Sequence, residues 1–526
     1  MKKKLWLSSF LVVVLVLALS ISGCSSSAKK PNSEGGDKKA GAEGPVYGGV
    51  LKIITGGGAT NLGSIADPVT GSDLLHSSPA VETLLRVDEQ GLPTPWLATS
   101  WEVSTDSKSM KLTLQQGVKF HDGTEFNAEV VKWNLDTYRN SNMPGLNNVT
   151  SIDIIDPYTV QLNFSEFWST IYSTLAWDAG RMLSPTAQQT HDKEWLYSNP
   201  VGTGPFKIVE YQQDVGVKYE KWDEYWQEGK PYLDGVEYSF IVDRTVSLMA
   251  LKSGQAHVNQ FIDPRDVAEL EKEGKYDITK VAAAVTYAAG DSINPNSPFA
   301  KLEVRQALSH AIPKDQLPGL VGYGSEAASQ LTFPESMAYN PNVKDYDYNP
   351  EKAKQLLAEA GYPNGFDTTI WVHEYIEKDA WTAIQGWLKD VGINAEIKIS
   401  TWPRHAEICW TEGWKNGLVA QGTNESLHPV ANLMDYMSSQ GTQSPIKIDY
   451  PEEYMDALKR AQKESDPEIL SGSLHEIMSM ITDEYAMVTP LYVYYMVGVR
   501  SQNVHDSLLY EHTTYLWTPE DAWLSK

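Results

Sequence analysis

A chain of 526 residues with 68 acidic against 43 basic side chains, net charge -25, is long enough for two or three lobes of ordinary size. Its acidity argues against a nucleic-acid partner and against attraction to anionic lipid. With 2 cysteines in the whole chain, Cys24 and Cys409, a disulfide-stapled architecture is excluded.

The chain opens on Lys2-Lys3-Lys4, an apolar run from Leu5 to Leu19, and Ser20-Ile21-Ser22-Gly23-Cys24. A basic head, a short apolar segment and a small-residue cleavage site predict a secretory signal over 1–23. The run is at the short end for a bilayer span. A cysteine directly after Ile-Ser-Gly resembles the bacterial lipobox, which implies that Cys24 is the lipidated first residue of the mature protein. The competing readings are an ordinary signal peptide with an incidental cysteine, or an uncleaved anchor. Removing residues 1–23 takes away three lysines and no acids, moving the charge from -25 to -28. With Cys24 used, Cys409 reads as a small buried hydrophobe. Residues 24–45, rich in Ser, Lys, Gly and Glu, form a flexible tether that cannot bury enough surface to order itself.

Order begins with a buried strand at Val50–Ile54, entered through glycines. Gly56-Gly57-Gly58 follows without the Lys-Ser/Thr of a phosphate cradle. Alternation at Met110, Leu112 and Leu114, and at Val160, Leu162 and Phe164, predicts strands on either side of a helix capped by Asn127. Further strands are predicted at 215–222 and 236–242, and a short helix at 247–251. After about residue 290 the texture changes to helices alternating with strands. Asn349-Pro350 caps a helix ending at Gly361, Trp381 to Val391 has helical spacing, and Ala395, Ile397 and Ile399 alternate. Amphipathic helices at 452–463 and 468–484 precede a long apolar strand, Val488–Val499. The chain is mixed α/β without internal repeats.

Several blocks carry a resemblance. They are Glu82-Thr83-Leu84-Leu85-Arg86; Pro95-Trp96-Leu97-Ala98-Thr99-Ser100-Trp101-Glu102; Gln116–Thr124 running into Asn127–Val131; Pro200–Phe206 with Asp223-Glu224-Tyr225-Trp226; and Pro298-Phe299 with Val304–Ile312. In order and spacing they resemble the extracellular solute-binding proteins of the oligopeptide, dipeptide and nickel class that feed ABC importers (solute-binding protein family 5). The resemblance covers essentially all of the mature chain. It implies a two-lobed, periplasmic-binding-protein-like (type II) α/β clamp with an extra inserted subdomain. Lobe I would comprise 46–75, 199–288 and 498–526, the insertion 76–198, and lobe II 289–497, with two crossings acting as a hinge. It also implies that the Gly-Thr-Gly-Pro-Phe block supplies turn and hinge geometry.

In peptide-binding members, a Gly-Trp-x-Ala-Asp-Tyr-x-x-Pro-like stretch supplies an Asp for the peptide's amino terminus. Aligning Pro429 places Glu425 at that Asp and Gly422 at the Trp, while His428 replaces an acidic residue. The resemblance therefore offers Glu425, Asn424 and His428 as ligand contacts, against a solvated loop carboxylate and an ordinary loop histidine. Trp402 and Arg404, just past a strand end, can stack on a ligand and fork onto a carboxylate. Trp410 and Trp414, at an i,i+4 step, fit a shared buried helix face. From the first lobe come Asn61, Thr70, Gly71 and Ser72, in loops after the first strand.

The resulting expectation is a non-catalytic, monomeric binding lipoprotein, anchored through Cys24 on the extracellular or periplasmic side of the cell membrane. It would deliver a small solute, most simply an oligopeptide or dipeptide, to an ABC permease, without cofactor or metal. Oligosaccharide, opine, amine metabolite or nickel chelate are the other ligand classes. An extracellular hydrolase finds no His-Glu-x-x-His or Gly-x-Ser-x-Gly, and an adhesin finds no repeats.

Overall fold

One sheet runs through the molecule, and two long strands carry it from one lobe to the other. The computed structural model describes residues 44–88, 92–344, 346–424, 428–441, 443–509, 517 and 519–526. The signal segment, Cys24, the tether up to residue 43 and Glu425 lie outside these. The strand order is Ile393–Ser400, Phe366–His373, Leu418–Asn424, Tyr276–Gly290, Thr489–Ser501, Val258–Asn259, Val50–Thr55, Gly235–Phe240, Gly216–Lys221, Phe206–Gln212, with Glu326–Ala327 added to Thr489–Ser501.

Tyr276–Gly290 and Thr489–Ser501 pair antiparallel along their length, with irregularities at Ala282/Ala284 and Thr286/Tyr287. At one end Thr489–Ser501 pairs with Val258–Asn259 of the first lobe. Toward the other, Tyr276–Gly290 pairs with Leu418–Asn424 of the second. The crossing from residue 276 begins half-buried, with Lys280 exposed, and shows no alternation over residues 285–290, where both faces are covered. Tyr287 and Ala289 enter one second-lobe core and Ala288 the other, just as Val419 and its neighbours Leu418 and Ala420 divide between the two.

The insertion contributes a four-stranded antiparallel sheet, Ala98–Val103, Ser109–Leu114, Thr159–Phe164 and Val149–Asp156 in that order. Helix Ala128–Asn140 packs on it, its Asn127 side chain accepting from the Glu129 and Val130 N–H groups. Met110, Leu112 and Leu162 share one continuous core with Leu51, Ile53 and Val236 of the main sheet. The insertion is therefore not packed as a separate body.

Three local expectations are refined. The helix predicted over 468–484 is α-helical over Pro467–Ser479 and then widens into a π-helical turn, Met480–Glu484. Trp410 lies in a second π-helical turn, Ile408–Glu412, and Trp414 follows it beyond Gly413, so the two tryptophans do not share a helix face. The glycines at 56 and 58 serve close packing: a Cβ on Gly56 would lie 2.1 Å from Phe261, and one on Gly58 2.7 Å from Phe240. Among the described residues no helix is long and apolar enough to cross a membrane.

Candidate functional site

Strand direction locates the site. In the first lobe Val50–Thr55 runs parallel to Gly235–Phe240 and Val258–Asn259. In the second, Phe366–His373 runs parallel to Ile393–Ser400 and Leu418–Asn424. The register on the crossing strands turns both sets of carboxyl ends toward the same stretch. Asn259 lies opposite Val499, and Asn424 opposite Ala284, which itself faces Tyr494. Carboxyl ends of parallel strands leave unpaired backbone and loop side chains around a crevice, the usual place for a ligand in open α/β sheets.

A cavity of about 470 Å³ lies at the second-lobe strand ends, over the crossing strands. Its floor is Ala284, Thr286 and Tyr494 of the crossings. The end of strand Phe366–His373 supplies His373 and the loop after it Tyr375, Ile376 and Glu377, while Gln421 and Gly422 come from Leu418–Asn424. Trp402, Trp410, Tyr436 and Gln443 close the far side. The aromatic rings brace one another: Trp402 meets His373 at 5.3 Å and Trp410 at 6.0 Å between ring centroids, both edge-on. Tyr375 is 74% and Trp402 40% exposed, so large apolar faces stand open to solvent beside the cavity. The Trp410 indole N–H is buried without a hydrogen-bond partner among the described residues.

Burial sets the charge states. His405, behind His373, bonds the Ala420 carbonyl through Nε2 at 2.9 Å, and burial lowers its pKa to about 4, leaving a neutral ring at pH 7. Burial also lifts Glu377 above the usual carboxylate range, partly offset by the Tyr492 hydroxyl, which donates to Oε2 at 3.0 Å. Cys409 is buried and its thiol is pushed up to about 12 by burial, which leaves it unreactive at pH 7. Among the described residues no group of three or more His, Cys, Asp or Glu is arranged to hold a metal ion.

Of the residues singled out from sequence, Trp402, Trp410 and Gly422 reach this cavity, Trp410 against the expectation of a buried helix face shared with Trp414. A Cβ on Gly422 would sit 3.8 Å from Ala284, an ordinary contact. Packing does not demand glycine there; the missing side chain simply leaves room. Arg404, two residues from Trp402, is absent from the lining. Its guanidinium forks onto Glu412 at 2.9 and 2.7 Å and reaches Glu407 at 2.6 Å. His428 is buried at the N-cap of helix Pro429–Tyr436, its pKa lowered to about 4 by burial. Asn424 ends its strand opposite Ala284.

The first-lobe candidates build a loop. The Asn61 amide donates to the carbonyls of Ser64, Asp67 and Pro68 at 3.2, 3.3 and 3.3 Å and accepts from the Ser64 N–H at 2.8 Å. Thr70 caps helix Gly71–Ser77 in a capping box with Asp73, and Ser72 donates to the Gly58 carbonyl at 3.2 Å. Sequence reasoning passed over His373, Tyr375, Glu377 and Tyr494. The available signal was position: His373 ends a strand, and Tyr375 and Glu377 follow within four residues of its carboxyl end.

The sequence pattern of the bacterial extracellular solute-binding proteins, family 5 Middle, matches residues 93–444. The glutathione-binding protein GsiB of Salmonella paratyphi A is 30% identical over 458 residues, covering 83% of this chain and 88% of the relative. Among solved structures, the ABC transporter substrate-binding protein CtaP of Listeria monocytogenes superposes with a TM-score of 0.80 at 20% identity, covering 91% of this chain and 100% of that one. The periplasmic binding protein DppA of Helicobacter pylori, in complex with the peptide STSA, gives 0.73 at 24% identity, covering 91% and 99%. The two-lobed architecture is that of these structures, and the chain belongs to the bacterial extracellular solute-binding proteins of family 5.

Proposed function

We propose that this chain is the non-catalytic capture component of an ABC importer for a short, peptide-like solute, glutathione being the first ligand to test. The observation that carries the reading is the aromatic-walled cavity that the second-lobe strand ends form over the crossing strands. Its volume of about 470 Å³ suits a short peptide. A relative named for glutathione binding, matched over 88% of its length, supports the ligand class. Lobe I is taken as 46–75, 199–288 and 498–526, the insertion as 76–198 and lobe II as 289–497, with the two crossing strands as hinge. Trp402 is an aromatic wall of the site, and Glu425, next after Asn424 in the chain, is retained as a candidate contact. A lipid on Cys24 holds a monomeric body at the outer face of the membrane, from which it delivers solute to the permease.

The test is calorimetry with glutathione, dipeptides, an oligosaccharide and an opine, paired with small-angle scattering. The expected result is one-to-one binding of a peptide-like solute without turnover and a smaller scattering radius in its presence. Saturation by the sugar or opine alone would move the protein to another ligand class. Turnover would make it an enzyme.

A further inference from the structure

The cavity wall contains one acid that the fold itself does not neutralise. Glu377 stands at the N-cap of helix Lys378–Asp390 but makes no side-chain cap bond. Its carboxylate meets only its own backbone N–H and the neutral Tyr492 hydroxyl, and it has no ion pair among the described residues. Around it the cavity is lined by Trp402, Trp410, Tyr436 and Tyr494. A half-buried carboxylate without a counter-charge is costly, and a cation delivered to it recovers that cost. Aromatic faces attract the same cation through their ring electrons. The neutral amides Gln421 and Gln443 in the wall add hydrogen-bonding capacity without a competing charge.

The opposite sign is found on the first lobe. Arg244 begins helix Arg244–Lys252 just past Gly235–Phe240, exposed, with its guanidinium 4.9 Å above the Phe261 ring. It makes no ion pair among the described residues and stands outside the cavity lining, and its charge, with that of Arg265, helps hold the nearby Asp263 carboxyl low. Beside Phe261, the Gln260 amide is buried with neither its nitrogen nor its oxygen hydrogen-bonded among the described residues. Such a group costs stability unless something meets it.

We propose that Glu377 is the counter-charge for an ammonium group of the solute, with Arg244 meeting an anionic group of the same molecule, so that the cavity selects short zwitterions with a free amine. This rests on reading the cavity as the solute site. Glu377 thereby takes the role that motif alignment assigns to Glu425, and the two acids can be set against each other.

Calorimetry is run on the wild type, Glu377→Gln, Glu425→Gln and Arg244→Gln. The probes are glutathione, alanylphenylalanine and the N-acetyl derivative of each. Glutamine keeps an acceptor for Tyr492, so Glu377→Gln retains the fold, which thermal melting checks. The expected result is a loss of tenfold or more for both free-amine probes in Glu377→Gln, with no preference left over the N-acetyl forms. Arg244→Gln weakens free-amine and acetylated probes alike. Unchanged affinity in Glu377→Gln, or loss of amine preference in Glu425→Gln alone, overturns the assignment while leaving the capture of a peptide-like solute intact. Glutathione failing while alanylphenylalanine binds in a Glu377-dependent way removes the glutathione ligand and keeps the assignment. Failure of both free-amine probes on the wild type overturns it.

Discussion

Glu82 shows what the most legible residues of this sequence are for. Its carboxylate is buried and accepts from Thr203 Oγ1 at 2.7 Å, Tyr225 Oη at 2.8 Å, and the indole N–H groups of Trp96 and Trp226 at 3.0 Å each. Arg86 lies 3.3 Å over the Trp96 ring and pairs with Glu520 at 2.7 Å, tying the C-terminal segment to the same cluster. Blocks far apart in sequence, around 82, 96, 203 and 225, thus meet at one carboxylate. They tie the insertion to the first lobe, and none of them lines the cavity. Burial pushes Glu82 up to about 7, against the lowering effect of Thr203, Arg86 and Tyr225. Because its folded pKa lies above its ordinary 4.5, the native state binds more protons than the unfolded chain between about 4.5 and 7. Stability is therefore lost as pH rises through that window. Relative to the non-titrating Glu82→Gln, the wild type is expected to lose roughly 3 kcal/mol between those pH values. Urea unfolding of both proteins across the range checks it; a constant difference between them would place the titration elsewhere.

At the scale of elements, local signals and packing signals separate cleanly. Helix starts are encoded in a few residues, so Asn127 and Asn349 mark theirs: the Asn349 side chain accepts from the Lys352 N–H with Pro350 following. Thr70 belongs with them, although its loop position suggested ligand contact. Its hydroxyl and the Asp73 carboxylate form a reciprocal cap, and Asp73 also accepts from the Thr60 and Asn61 N–H groups. Burial raises Asp73, but these backbone donors outweigh it and hold its pKa below the usual range. Thr70→Ala is expected to cost about 1 kcal/mol of stability and to leave solute affinity within twofold. Thermal melting and calorimetry on one preparation decide between cap and contact. Half-buried strands such as Ser109–Leu114, with burial alternating along it, were equally readable. Tyr276–Gly290, covered on both faces only over residues 285–290, and Phe366–His373, partly covered, were not.

For the whole molecule, the anchor and the clamp depend on opposite ends of the argument. The proposed anchor rests on a short linear motif. Cys24→Ser is expected to leave the membrane fraction and appear in the medium or periplasm, uncleaved or shed, because no described helix can span a bilayer. Retention equal to the wild type would show another attachment. The clamp needs contacts across hundreds of residues. By itself the sequence determined the α/β class, the family, the helix caps and the alternating strands, since each is written in neighbouring residues or in spaced blocks that can be matched one at a time. Only the tertiary structure decided that Glu377, Tyr375 and Tyr494 share a cavity with Trp402, that Arg404 is held by Glu412 and Glu407, and that Asn61 is occupied by its own loop. The physical reason is that a side chain's role depends on which partners reach it first. In this chain those partners are brought together by two crossing strands whose register no local pattern records.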